Sequence, residues 1–206
     1  MIIFFVIIVT IWIHFENNIN FFLALRLSLF NSISVMTGTG YSTENFSNWG
    51  YFANTIFFIM MLIGGCSGST TGGLKIFRIQ ILWAIVRKEL KSIKSPRAIN
   101  TINLKNININ ENVINSVMII FFCFIFSIFF ISSVFMYYEY DFITSVSAAL
   151  TSISVVGPGL GNIIGPDESF KSLPSILKLL LSFGMVLGRL EFLAFLIILA
   201  PRFWSK

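Results

Sequence analysis

Apolar residues in this chain come in long blocks separated by short polar or glycine-rich stretches. Met1–Ile13 is apolar but short, and it lacks the basic leader and small-residue cleavage site of a signal peptide. It reads as the outer part of a helix whose beginning is missing. Phe52–Ile63 is apolar, breaks at a Gly/Ser/Thr stretch, and resumes at Leu74–Val86. Val113–Tyr138 is a clear span, since crossing a bilayer takes about 20 apolar residues. Leu173–Trp204 is another, interrupted by Gly184, Gly188, Arg189 and Glu191. Phe21–Val35 and Phe142–Val156 are shorter and too polar to span. Both run straight into glycine, MTGTGY after the first and GPGLG after the second. A short helix followed by a glycine turn at membrane depth predicts a re-entrant segment.

Composition sharpens this picture. Of 206 residues, 56% are hydrophobic and 11% charged, against about 25% charged in a soluble domain. So much apolar surface does not fit inside a soluble core of this size. A soluble enzyme and a nucleic-acid module are both excluded, the latter despite a net charge of +5. Cys66 and Cys123 are far apart in apolar context, so no disulfide framework exists. The single histidine, His14, ends an apolar run and reads as an interfacial residue. A membrane enzyme using His14 or Glu191 would need a nucleophile–base pair or metal cluster that the sequence does not supply.

Lysine and arginine set the expected orientation. Lys75, Arg78, Arg87, Lys88, Lys91, Lys94, Arg97 and Lys105 face one acid, Glu89, over the same stretch. Lys75–Lys105 and the C-terminus, with Arg202 and Lys206, are therefore expected in the cytoplasm. Glu16, Glu44, Glu139, Asp141, Asp167 and Glu168 mark the outside, from which both re-entrant segments enter. Anionic lipid or RNA binding by the basic run is the weaker reading beside ordinary positive-inside anchoring.

The order span, short outer helix, glycine turn, long span occurs twice. The period is 117 residues, from Gly40 to Gly157. The word Ser32-Ile33-Ser34-Val35 recurs as Ser152-Ile153-Ser154-Val155, within a few residues of that period. Irregular backbone inside a bilayer must be buried in protein or line water. Its carbonyls can replace the hydration shell of a cation, as in potassium filters. A pore helix also points its negative C-terminal end at the ion. Thr37, Gly38, Thr39 and Gly40, with Ser154, Val155, Val156 and Gly157, suit that role, and the outer acids would concentrate cations. GSTTGGLK at Gly68–Lys75 lacks the features of a phosphate loop, and Gly157–Gly161 is no dinucleotide fingerprint.

The break Ile63–Leu74 (IGGCSGSTTGGL) holds five glycines, two serines and two threonines, too many for a continuous helix. Gly64, Gly65, Cys66, Ser67, Gly68, Ser69, Thr70, Thr71, Gly72 and Gly73 then form a polar loop in mid-membrane, expected to act as a gate. The alternative is close helix packing through small residues. Arg189, deep in a span, is expected to face a cavity or a partner. Glu191 lies about 200° around a helix from it and is a poor direct partner.

IGGCSGSTTGGLKIFR (Ile63–Arg78), GPGLGNI (Gly157–Ile163), GRLEFLAFLIILAPRFW (Gly188–Trp204) and TGTGYSTENFSNW (Thr37–Trp49) resemble the TrkH subunit of the bacterial Trk potassium uptake system, in the TrkH/KtrB superfamily. The resemblance covers essentially the whole chain. It implies an all-α integral membrane fold in which this chain is the third and fourth of four helix–pore helix–helix repeats around one pore. It implies Gly40 and Gly157 as filter glycines, Gly64–Gly73 as an intramembrane gating loop and Arg189 as a pore-facing arginine. The transported ion would be K+, with no cofactor. Partners implied are membrane lipid, a second copy in a homodimer, and a cytosolic nucleotide-binding subunit of the TrkA type, contacted through Arg87–Lys105. The family more often has Thr-Thr-Thr-Gly-Phe where this chain reads Thr-Gly-Thr-Gly-Tyr.

The first repeat is expected over 1–105, with a truncated first helix, a pore helix near 20–36, a filter at 37–41, a broken second helix at 50–86 and a basic segment at 87–105. The second is expected over 106–206, with a helix at 113–138, pore helix 142–153, filter 154–161 and second helix 173–204. The expected place is the bacterial inner membrane. The expected function is potassium uptake as a fragment or half-subunit beside an N-terminal half or a second copy; the alternative is a non-conducting remnant or structural partner of a Trk-type complex.

Overall fold

The computed structural model describes residues 1–65, 69, 71–95, 103–104, 107–190 and 192. The first repeat is built from α1 (Ile2–Glu16), α2 (Phe21–Thr37), a 3-10 turn at Phe46–Trp49, α3 (Tyr51–Leu62) and α4 (Ile76–Lys94). The second is built from α5 (Glu111–Tyr137), α6 (Phe142–Ser154), a 3-10 turn at Phe170–Ser172 and α7 (Ser175–Arg189). A small antiparallel hairpin, β1 (Asn103–Leu104) with β2 (Ile107–Asn108), joins them. Apart from that hairpin the described elements are helical, as the apolar blocks predict. Phe192 is helical too, and the rest of the expected 173–204 span lies outside the described residues.

Among the described residues, α5 is the one helix long and apolar enough to cross a membrane. Phe122, Phe126, Phe129 and Phe130 stay exposed on it. On a membrane protein such residues face acyl chains, which are as apolar as they are. Tyr137 and Tyr138 end α5 at the level where amphipathic rings favour the headgroups. His14 sits at the end of α1 with a ring nitrogen 2.8 Å from the Ile19 carbonyl, a structural contact that fits the interfacial reading.

The short helices are the buried ones. α6 packs between α5 and α7 and also touches α3. Within it Ser145, Ser147, Ala148, Ala149, Leu150, Ser152 and Ile153 have no exposed surface. In the first repeat α2 packs on α1 and α3. Thr10 of α1 and Ser28 of α2, both buried, share a hydroxyl–hydroxyl bond between the helices. Phe46 stacks on Phe57 with centroids 4.3 Å apart, and Trp12 Nε1 donates to the Trp49 carbonyl at 2.8 Å. These contacts fix the loop after α2 against α1 and α3.

Two expected boundaries shift. α4 does not stop at Val86 but runs to Lys94, because Arg87-Lys88-Glu89-Leu90-Lys91 are all good helix formers. α7 is not interrupted at Gly184 or Gly188 but continues through both.

Candidate functional site

The short helices α2 and α6 end in the same backbone device. In α2 the N–H of Gly38 donates to the Val35 carbonyl at 3.3 Å and that of Thr39 to the Ser34 carbonyl at 3.1 Å. In α6 the N–H of Val155 donates to Ser152 at 3.3 Å and that of Val156 to Thr151 at 3.1 Å. Each pair is a Schellman cap, which requires a left-handed residue just past the helix. Gly38 takes it at φ 70° and Val155 at φ 54°. Glycine does this freely, whereas a β-branched residue does so under strain. Gly38 and Val155 are 117 residues apart, the same period as Gly40 and Gly157. The shared SISV word is therefore three residues out of the structural register.

Hydroxyls hold each turn to its helix. Thr39 Oγ1 donates to Ser34 Oγ at 3.1 Å, and Thr37 Oγ1 to the Ile33 carbonyl at 2.7 Å. In the second repeat the Gly157 N–H donates to Thr151 Oγ1 at 3.1 Å. Further out, Ser147 Oγ donates to the Leu160 carbonyl at 3.0 Å and accepts its N–H at 3.1 Å. Sequence reasoning missed Ser34, Thr151 and Ser147. Their signal was the unusual density of Ser and Thr in an otherwise apolar short helix.

The two turns lie side by side. A Cβ on Gly40 would fall 2.6 Å from the Val156 carbonyl oxygen, and one on Gly38 3.0 Å from that of Val155. A Cβ on Gly157 would sit 3.3 Å from the Gly40 α-carbon. Gly40 and Gly157 both have positive φ, at 75° and 113°. Thr37 and Ser154 are the last residues of their helices, so the turns proper begin one residue later than expected. Ser154 is buried, with its hydroxyl unpartnered. The loops that follow the two turns are joined by a hydrogen bond from Ser42 Oγ to the Pro166 carbonyl at 3.2 Å.

The glycine-rich break leaves the line of the helix as expected. Ile63 and Leu74 bridge each other, with Leu74 N–H donating to Leu62 at 3.0 Å and Gly64 N–H to Leu74 at 2.7 Å. Thr71 Oγ1 accepts the Gly65 N–H at 2.9 Å and bonds Ser69 Oγ at 3.2 Å. The returning strand runs under α6, where a Cβ on Gly72 would collide with the Ser154 carbonyl and one on Gly73 would sit 3.3 Å from Ser154 Oγ. Cys66, Ser67, Gly68 and Thr70 lie outside the described residues.

Cavities lie on both sides of this loop. One of about 680 Å³ is lined by Met36, Thr37, Gly65, Ser69, Thr71 and Ile76, with the start of α1. The other, of about 180 Å³, is lined by Ser69, Thr71, Lys75, Arg78, Gly188, Arg189 and Phe192. Ser69 and Thr71 line both. Arg189 is among the residues that line the second cavity. Glu191 lies outside the described residues. α7 reaches the loop because Gly184 and Gly188, four apart, let it approach the end of α6 closely.

A family model described as TrkH, cation transport protein, matches residues 2–206. The chain belongs to this TrkH family. The family is one of cation transporters, not enzymes. The potassium uptake protein TrkI of Halomonas elongata is 37% identical over 185 residues, covering 90% of this chain and 38% of that protein. TrkG of Escherichia coli (strain K12) is 34% identical over 182 residues, covering 87% of this chain and 36% of that protein. The crystal structure of the potassium transporter TrkH from Vibrio parahaemolyticus matches with a TM-score of 0.88 at 27% identity, over 99% of this chain and 43% of that one. The chain thus spans well under half the length of these relatives.

Proposed function

We propose that this chain supplies two of the four quarters of a potassium-selective pore and carries K+ inward across the bacterial inner membrane. The reading is supported above all by the meeting of two equivalent turns, Gly38–Gly40 and Val155–Gly157, at the capped ends of two buried short helices. Their hydroxyls are tied back onto the helices, which leaves backbone carbonyls as the ion's ligands. The loop Ile63–Leu74 is the gate, a reading supported by Ser69 and Thr71, which line both the cavity beside Met36 and Thr37 and the one beside Arg189. Arg189, with Lys75 and Arg78, lines that second cavity, on the far side of the gate. Lys75–Lys105 and the C-terminus face the cytoplasm, where a nucleotide-binding subunit of the TrkA type regulates the gate. The complete pore forms with the remaining repeats, in a homodimer or beside an N-terminal half.

The test is uptake of K+ in a potassium-uptake-deficient bacterium, with the N-terminal repeats of a relative supplied in trans and the chain verified in the membrane. Gly40→Ala should abolish uptake, because its Cβ would displace the Val156 carbonyl. Gly157→Ala should abolish it as well, since a side chain is strained at φ 113° and its Cβ would lie 3.3 Å from the Gly40 backbone, closer than an ordinary contact. Unchanged uptake per molecule in Gly40→Ala would overturn the filter assignment.

A further inference from the structure

The second half of α4 carries an apolar face that the fold leaves uncovered. Trp83, Val86, Leu90 and Ile93 are 58%, 47%, 63% and 77% exposed. At 100° per residue they fall within an arc of about 80°. Arg87, Lys91 and Lys94 lie along one edge of that arc, with Lys88 beyond them, and Glu89 is the single acid of the helix. The Arg87 guanidinium sits 5.3 Å from the Trp83 ring centroid, a cation–π contact at the head of the stripe.

Depth decides what this face meets. α3 descends 12 residues from the outer side, about 18 Å of a hydrocarbon core of about 30 Å. From Ile76 the remaining 12 Å or so takes about eight residues, which brings Trp83 to the inner boundary. In an upright helix Leu90 and Ile93 would then stand about 10 to 15 Å past the core, beyond the headgroups, in water. Because α4 is unbroken from Ile76 to Lys94, a tilt of the whole helix is what brings the stripe back to the acyl boundary, with the basic edge among the headgroups.

We propose that Trp83–Lys94 is a binding face for anionic phospholipid, with the lipid phosphates held by Arg87, Lys88, Lys91 and Lys94. The occupant is the inner leaflet itself, chosen by charge complementarity: four cations against one acid beside an aromatic anchor. This goes beyond the transport reading and rests on its orientation, with α4 ending on the cytoplasmic side.

The test uses the full chain in proteoliposomes, on a background of Cys66→Ser and Cys123→Ser. A bimane label on Leu90→Cys is quenched by brominated lipid. Brominated phosphatidylglycerol should quench at least about tenfold more effectively than brominated phosphatidylcholine. Arg87→Gln, Lys88→Gln, Lys91→Gln and Lys94→Gln should each cost about fivefold of that preference until it is gone, at about 1 kcal/mol per charge. Equal quenching by the two lipids in the parent overturns the proposal. So does a label reporting water in both, or Leu90→Cys cross-linking efficiently to a second copy or to a regulatory subunit, which would give the stripe to a protein. Orientation is read separately with Ser95→Cys and an impermeant maleimide: reaction from the outer side overturns the transport topology, whatever the quenching shows.

Discussion

Gly188 offers a quantitative test of how α7 is seated against the pore helix. A Cβ at Gly188 would collide with the Ile153 carbonyl oxygen, and would lie 2.7 Å from its carbonyl carbon and 3.1 Å from its α-carbon. Carbon atoms prefer about 3.5 Å or more, so Gly188→Ala forces a separation of at least about 0.8 Å. All three obstacles are backbone, which no rotamer change relieves. Overpacking of this kind costs about 3 kcal/mol, offset by about 1 kcal/mol from replacing glycine in a helix. The net loss of about 2 kcal/mol lowers Tm by roughly 4–8 °C for a chain of this size. Gly184→Ala is the milder comparison, because its Cβ would meet side chains and not backbone: Ile131 Cδ1 at 3.0 Å, which can rotate, and Ser152 Oγ at 2.9 Å, which has to give by a few tenths of an ångström while keeping its bond to the Ala149 carbonyl. Its overpacking cost and its helix gain should cancel, leaving Tm within about 2 °C. Thermal unfolding in nanodiscs followed by tryptophan fluorescence measures both. If Gly184→Ala costs as much as Gly188→Ala, the close approach of α7 to Ile153 is not what fixes this interface. Uptake should follow the same order, since Ile153 is two residues from Val155 and its displacement moves the turn.

Other outcomes follow from single contacts. Val155→Gly removes left-handed strain, so its stability should stay within about 1 kcal/mol of the parent in the same unfolding assay; a loss above about 2 kcal/mol would mean that the valine side chain, not its backbone, is what matters. Thr71→Val strips the Gly65 N–H of its acceptor and should loosen the loop, raising passive K+ leak from loaded proteoliposomes; an unchanged leak would count against the loop as gate. Thr10→Val removes the Thr10–Ser28 bond at a cost of about 0.6 kcal/mol, a Tm drop of one or two degrees, and a drop of more than 6 °C would show that the hydroxyl does more than join the helices.

Much of this arrangement was legible in the sequence because membrane depth is written in block length. A 15-residue segment ending in glycine has few options in a bilayer, and α2 and α6 form where those segments lie. The break at Ile63–Leu74 was readable for the same reason: so many glycines and hydroxyls do not propagate a helix. The caps were harder. Gly38 announces a left-handed residue, but Val155 does so only by its place 117 residues on, since nothing local predicts a β-branched residue there. The repeated SISV word pulled the eye to a register three residues off, because a serine-rich helix end resembles itself when shifted. Gly184 and Gly188 looked like interruptions, yet their role depends on the Ile153 backbone from another helix, which no local pattern carries.

In the proposed pore, the loop that carries Ser69 and Thr71 has an electrical consequence. Where cavities admit water on either side of a thin wall, each side sits near the potential of the solution it opens to. The membrane voltage then falls across the loop and the turns above it instead of across the full thickness of the bilayer. A unit charge crossing that short distance experiences nearly the whole drop, about 2.3 kcal/mol per 100 mV. In that proposed pore a small displacement of the loop would move the steepest part of the field, and a resting cell's polarisation would act on the step that admits the ion.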